Sequence, residues 1–174
     1  MKIFLIGLPG SGKTTTGKAL AKAMKLPFVD LDVEIEKLER MPVREIFSMK
    51  TEEYYRIVES KVVKQWCDQP GDYVISTGGG APCFFDNMDR INQSGISIFL
   101  DVSTREIANR MMKSNLAQRP LLAGAPMDEV KDRIEFLRSH RLPFYSQAAI
   151  TISADHIRID SIIEQIKLRK ESQE

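Results

Sequence analysis

The residues best equipped for chemistry stand near the start of the sequence, where positions 7–14 read Gly-Leu-Pro-Gly-Ser-Gly-Lys-Thr. This is G-x-x-x-x-G-K-[ST] without a mismatch. Glycines at 7, 10 and 12 let the backbone curl until successive N–H groups point inward, a concavity suited to phosphate oxygens. A helix starting near Lys13 adds the positive end of its dipole. Gly10, Ser11, Gly12, Lys13, Thr14 and the adjoining Thr15 are therefore expected around the phosphates of a nucleotide. Lys13 would reach the β- and γ-phosphates, and the Thr14 hydroxyl would ligate Mg²⁺.

Asp30-Leu31-Asp32 follows a second apolar run. On extended chain, residues two apart project to the same side. Phosphoryl transfer needs oxygens around Mg²⁺ and an acceptor in line with the γ-phosphate. Asp30 is expected to hold a metal-bound water, and Asp32 to accept a hydrogen bond from the hydroxyl that is phosphorylated. The third apolar run ends in Ser76-Thr77 with no acid, which strengthens the claim of Asp30. Either aspartate would equally serve to cap a following helix. Gly78-Gly79-Gly80 costs conformational entropy, and makes sense if backbone N–H groups approach a ligand closely; a plain flexible turn is the alternative. Arg56, Arg119 and Arg141 carry the planar forks that suit carboxylate or phosphate. Composition alone does not choose among the chain's arginines, and any one of them also reads as a solvated surface residue.

The elements that must position these groups follow from periodicity. Short apolar runs at 2–6, 27–31, 73–76, 96–100 and 148–152 read as strands. Helical spacing covers 14–24, 33–39, 43–49, 52–67, 103–113, 128–140 and 161–170, with Pro42 at a first turn. Asp86 is expected to cap a helix ending at Gln93, and Ser103 with Glu106 to complete a capping box. Residues 114–126 show little periodicity, and a loop of that length is often a lid. Strands alternating with helices indicate an α/β fold with a parallel sheet covered on both faces, which binds ligands beyond the carboxyl ends of its strands.

At 174 residues the chain fits a single domain. Its 25 basic and 24 acidic residues leave a net charge of +1, no global reason to expect nucleic acid or an anionic membrane as partner. Cys67 and Cys83 are isolated thiols, Cys67 expected in the core, which suits a reducing compartment. The opening apolar run is too short for a signal peptide, and no run approaches the roughly 20 residues that span a bilayer. A cytoplasmic monomer is the expectation.

Six elements occur in one order: the phosphate loop, Phe28-x-Asp30-x-Asp32-x-x-Ile35-Glu36, Tyr55-Arg56-x-x-Glu59, Thr77-Gly78-Gly79-Gly80, Arg119-Pro120-Leu121-Leu122 and Arg141-x-Pro143-x-Tyr145. Together they resemble the shikimate kinase family over about residues 2–168. The resemblance implies a three-layer α/β/α P-loop kinase fold with a five-stranded parallel sheet in order 2-3-1-4-5. It implies ATP-dependent phosphorylation of the 3-hydroxyl of shikimate, on the route to aromatic amino acids. Arg56, Arg141 and the backbone at Gly79 and Gly80 would hold the shikimate carboxylate, with Gly78 also at the substrate site, and Asp32 would bind the ring hydroxyls. Arg119 would swing in with a lid at about 114–125 to meet the transferring group, and Arg110 would stack on adenine. Residues of about 33–60 would form a mobile substrate-binding subdomain. This chain departs from the family pattern at Arg40 and Thr51, where glycines are common, at Tyr55, usually Phe, and after the fifth strand, where Ser153-Ala154-Asp155 lacks a proline. A gluconate kinase would share the phosphate loop with less need for the arginines and triple glycine. A non-catalytic nucleotide switch would be expected to lose Lys13, Asp32 or a substrate arginine.

Overall fold

Short runs three to six residues long lay down the strands, and amphipathic segments between them return the chain in the same direction each time. The structure, a computed structural model, describes residues 1–113 and 126–172. In chain order the elements are β1 (Lys2–Ile6), α1 (Lys13–Met24), β2 (Phe28–Asp30), α2 (Leu31–Glu39), α3 (Val43–Met49) and α4 (Glu52–Asp68). Then come β3 (Tyr73–Ser76), a 3-10 turn (Ala81–Cys83), α5 (Asn87–Ser94), β4 (Ile96–Asp101), α6 (Thr104–Lys113), α7 (Met127–Tyr145), β5 (Ile150–Ser153) and α8 (Ile159–Glu171).

The five strands form one sheet in the order β2-β3-β1-β4-β5, every pairing parallel. This is the order implied by the resemblance. Central β1 is dry on both faces: Ile3, Phe4, Leu5 and Ile6 are each 0% exposed. Burying such a side chain stabilises by about 1.5–3 kcal/mol, so this strand anchors the sheet. Its alternation divides the core. Ile3 and Leu5 pack with Leu20 of α1 and Ile162 and Ile166 of α8, whereas Phe4 packs with Val62 and Val63 of α4. Ile6 joins Phe99, Val130, Ile134 and Tyr145. Cys67 lies in the core as expected.

Register puts the strand ends abreast. Ser76 pairs with both Leu5 and Asp30, so the phosphate loop, the end of β2 and the triple glycine all leave the sheet at one rim.

Several local expectations are corrected. β2 stops at Asp30, and Asp32 lies in the first turn of α2, so strand alternation is not what brings the two carboxylates together. α7 does not end at His140 but continues through Pro143 to Tyr145. A proline inside a helix costs about 3 kcal/mol or more, here offset by the last turn burying Tyr145 completely. The capping box at α6 is half made. Ser103 accepts from the Glu106 N–H at 3.2 Å, but the Ser103 N–H goes to Asp155 and the Glu106 carboxylate to Arg110. Asp86 makes no side-chain cap and pairs with Arg90 at 2.9 Å instead. Pro42 precedes the first turn of α3, as its N-cap. Arg40 closes α2 at φ 56°, a left-handed position natural to glycine, and Thr51 caps α4 by accepting from the Tyr54 N–H at 3.1 Å.

Candidate active site

Positive backbone angles build the phosphate loop: φ is 145° at Gly7, 83° at Gly10 and 92° at Gly12. A Cβ on Gly7 would also stand 2.9 Å from the Leu100 carbonyl oxygen, a backbone atom with nowhere to go. Lys13 is nearly buried, and its ammonium donates to the Gly7 and Leu8 carbonyls, each at 2.9 Å. The loop thus carries its cation pre-placed beneath the curl. Ser11 Oγ is buried there without a partner.

Thr14 Oγ1 donates to Asp30 Oδ2 at 2.8 Å, while Asp30 Oδ1 accepts from the Asp32 N–H at 3.1 Å. Of the two sequence readings of Asp30, the helix cap is the one seen: one oxygen caps α2, and the other faces the loop. A hydroxyl and a carboxylate side by side are hard oxygen donors, a set that fits Mg²⁺ shared with phosphate oxygens and water. These residues line a cleft of about 710 Å³ together with Thr15, Asp32, Thr77, Gly79, Arg110 and His156.

On the far side of the cleft runs the triple glycine, and the reason for each glycine is clearance. A Cβ on Gly78 would lie 2.5 Å from Glu59 Oε1 and 3.1 Å from Asp32 Oδ1. On Gly79 it would meet Pro9 Cδ at 2.8 Å and Arg141 Nη1 at 3.0 Å, and on Gly80 Arg56 Nη1 at 2.5 Å. None of the three has a positive φ. None of their N–H groups donates to a protein acceptor among the described residues. Free backbone donors therefore sit amid charged side chains, and a flexible turn does not require that fit.

The charges are held firmly. Arg56 Nη1 donates to Glu59 Oε2 at 2.7 Å and Nη2 to Glu52 Oε1 at 3.2 Å, with its guanidinium 4.2 Å over the Phe84 ring and 5.1 Å from that of Tyr55. Glu59 Oε1 and Arg141 Nη1 are buried with no partner. Orphaned polar atoms of this kind cost stability and call for a partner. Tyr55 OH donates to Asp32 Oδ1 at a long 3.4 Å. Burial, and next the charge of Asp30, holds the Asp32 carboxyl above the usual aspartate range, with Lys13 pulling the other way. Burial likewise raises Glu59 against the pull of Arg56.

The expected residues thus gather at one rim. Gly10, Ser11, Gly12, Lys13, Thr14, Thr15, Asp30, Asp32 and Gly79 line the cleft, and the glycine run carries on from it to Arg56 at Gly80, with Arg141 beside Gly79 and Glu59 beside Gly78. Arg110 reaches the loop from α6, donating to the Ser11 carbonyl at 3.2 Å and to the Asp155 carbonyl. Arg119 and the proposed lid lie outside the described residues. Sequence reasoning gave no role to Glu59, Phe84, Tyr145 or His156. Glu59 was legible as the i+3 partner of Arg56 on one helix face. Phe84 and His156 carried no local signal.

Comparison with known proteins agrees with this geometry. The sequence model of the shikimate kinase family matches residues 9–169. A shikimate kinase of Bacteroides fragilis is 43% identical over 164 residues, covering 94% of this chain and 90% of that protein. The crystal structure of shikimate kinase from Bacteroides thetaiotaomicron superposes with a TM-score of 0.88 at 38% identity, covering 98% of each chain. That of shikimate kinase from Acinetobacter baumannii, in complex with shikimate, gives 0.84 at 28% identity over 99% of this chain and 94% of the other. With its phosphate loop facing an arginine-walled pocket, this chain belongs to the shikimate kinase family, the ATP-dependent transferases that phosphorylate shikimate.

Proposed function

We propose that this chain transfers the γ-phosphoryl group of ATP to the 3-hydroxyl of shikimate, with the residues above in definite roles. The observation that carries the reading is the glycine wall, where every missing Cβ makes room for a charged group of the site. Arg56, Arg141 and the Gly79 and Gly80 N–H groups take the substrate carboxylate, with Gly78 leaving room for Asp32 and Glu59. A carboxylate there would satisfy the orphaned Arg141 Nη1.

Asp32 then faces the ring hydroxyls and orients the attacking oxygen toward the phosphate loop. A carboxylate whose charged form is disfavoured accepts that proton more readily. Lys13, with Gly10, Ser11, Gly12, Thr14 and Thr15, holds the ATP phosphates, and Lys13 exchanges its loop carbonyls for phosphate oxygens. Arg110 takes the adenine side, and Arg119 meets the transferring group when residues 114–125 close as a lid. Thr14, and Asp30 through water, would hold Mg²⁺, which when bound offsets phosphate charge. The chain works as one kinase domain whose substrate subdomain, about 33–60, closes with the lid.

We place the protein in the cytoplasm as a monomer acting on a small molecule, without nucleic-acid or membrane partners. Its near-neutral charge supports this, as does the lack, among the described residues, of a helix long and apolar enough to cross a membrane. The test is shikimate-dependent ADP release by purified protein with ATP and Mg²⁺. No release with shikimate, alongside turnover of another polyol acid, would overturn the proposal.

A further inference from the structure

We infer that Tyr145 is a positioning residue for the substrate carboxylate: its hydroxyl holds the Gly79 carbonyl and thereby aims the Gly80 N–H. The inference rests on the function proposed above and deepens it.

Three observations converge. First, α7 continues through Pro143, so Arg141 and Tyr145 stand four residues apart on the same helix face. Both address the glycine wall, Arg141 beside Gly79 through Nη1 and Tyr145 through its hydroxyl, which donates to the Gly79 carbonyl. Second, Tyr145 is 0% exposed and its ring lies 5.0 Å from that of Phe99, so the hydroxyl is delivered by a side chain fixed in the core. Third, three successive glycines have the widest conformational choice of any tripeptide, and their N–H groups find no protein acceptor among the described residues. Something must hold that backbone in one orientation.

The peptide between Gly79 and Gly80 is planar and trans, so its C=O and N–H point in opposite directions. Fixing the carbonyl toward α7 directs the Gly80 N–H away from α7. Gly80 itself stands against Arg56. One hydroxyl therefore coordinates the Gly80 donor with the arginine from α4 that flanks it, while the same helix supplies Arg141. Burial pushes the phenol pKa far above its ordinary value despite the opposing charge of Arg141, so the hydroxyl stays a donor at any working pH.

Tyr145→Phe removes the tether and keeps the ring. The KM for shikimate should rise roughly tenfold, the size of one well-aimed hydrogen bond to a charged group, with kcat and the KM for ATP within about twofold of wild type. The methyl ester of shikimate, which lacks the anion, should bind wild type and variant equally poorly. An equal loss for acid and ester would make Tyr145 a general scaffold and overturn the inference, as would an unchanged KM for the acid. A second measurement needs no variant. In protein labelled with ¹⁵N-glycine, shikimate should shift the Gly80 amide signal and the ester should not; an unmoved Gly80 signal also overturns it. Wild-type turnover of shikimate is read first, and its absence removes the functional reading and this inference together.

Discussion

Replacing Gly80 by alanine separates a fitted wall from a flexible turn, because the two readings give opposite outcomes. Gly80 sits at φ −89° and ψ −18°, a region open to any L-residue. Alanine there brings no backbone strain, and by restricting the unfolded chain it should stabilise by about 0.4–1 kcal/mol. The added Cβ, however, would stand 2.5 Å from Arg56 Nη1 and 2.8 Å from Cζ and Nη2, where ordinary contact begins at 3.4 Å. The guanidinium must therefore withdraw by about 3.4 − 2.5 = 0.9 Å.

It has little freedom to do so. A shift of that size would stretch the 2.7 Å bond to Glu59 to as much as about 3.6 Å, beyond hydrogen-bond range. It would also disturb the stacking 4.2 Å from Phe84. A hydrogen bond to a charged group contributes about 1.5–3 kcal/mol, and each 1.4 kcal/mol is about tenfold in affinity. Gly80→Ala should thus raise the KM for shikimate by about 10- to 100-fold. The KM for ATP should stay unchanged, since Gly80 does not line the nucleotide cleft. The assay is coupled ADP release, varying each substrate in turn, beside a thermal melt. A higher melting temperature with an unchanged KM for shikimate would refute the clearance argument and restore the flexible turn.

Two further substitutions probe the phosphate side. Gly7→Ala places a Cβ 2.9 Å from a backbone carbonyl at a φ of 145°, so both sterics and conformation oppose it. It should lower stability by about 2 kcal/mol or more, roughly 4–8 °C in melting temperature for a chain this size; a melt within 1 °C of wild type, or about 0.3–0.5 kcal/mol, would sink this reading of the loop. Asp32→Asn should abolish turnover while stabilising the fold. With the folded carboxyl held above its ordinary 3.8, the acid is neutral in both folded and unfolded chains below that value, and Asp and Asn then match. As pH rises through 3.8 and past the raised folded value, the native protein must carry a charge that burial disfavours, and stability drains from Asp but not from Asn. The melting-temperature advantage of the variant should accordingly be larger at neutral pH than at or below pH 3.8, and an advantage that shrinks with rising pH would contradict the assignment.

What the sequence disclosed well was local. The phosphate loop needs particular residues at particular spacing within eight positions, so its chemistry is written along the chain. The same holds for β1, whose short apolar run stopped by a glycine reads as a buried strand. Sheet order is not local, and it came from resemblance to a family and not from any periodicity. The carboxylate pair shows the difference sharply: Asp30 and Asp32 do share the cleft, but through a helix cap and not strand alternation. The end of α7 was hidden because Pro143 is read as a stop, whereas the burial of Tyr145 outweighs it, and burial is a property of the whole fold. His156 reaches the nucleotide cleft from the segment after β5, which Arg110 joins to the phosphate loop by donating to both Ser11 and Asp155, a tertiary contact that no neighbouring residue announces.

Glycine carries the deeper lesson, since in sequence all six glycines of the site look alike. At 7, 10 and 12 the requirement is intrinsic: the backbone turns where a Cβ is disfavoured whatever surrounds it. At 78, 79 and 80 the backbone would accept a side chain, and the requirement comes from Glu59, Asp32, Pro9, Arg141 and Arg56, supplied by four other parts of the chain. The first kind of glycine is a condition of folding the loop, and its loss is felt as stability. The second kind is a condition of assembling a charged pocket, and its loss is felt as affinity. Two atoms already mark which way that balance was struck. Arg141 Nη1 and Glu59 Oε1 are left buried and unpaired, a cost to the fold that an anion bearing hydroxyls, bound as proposed, would repay.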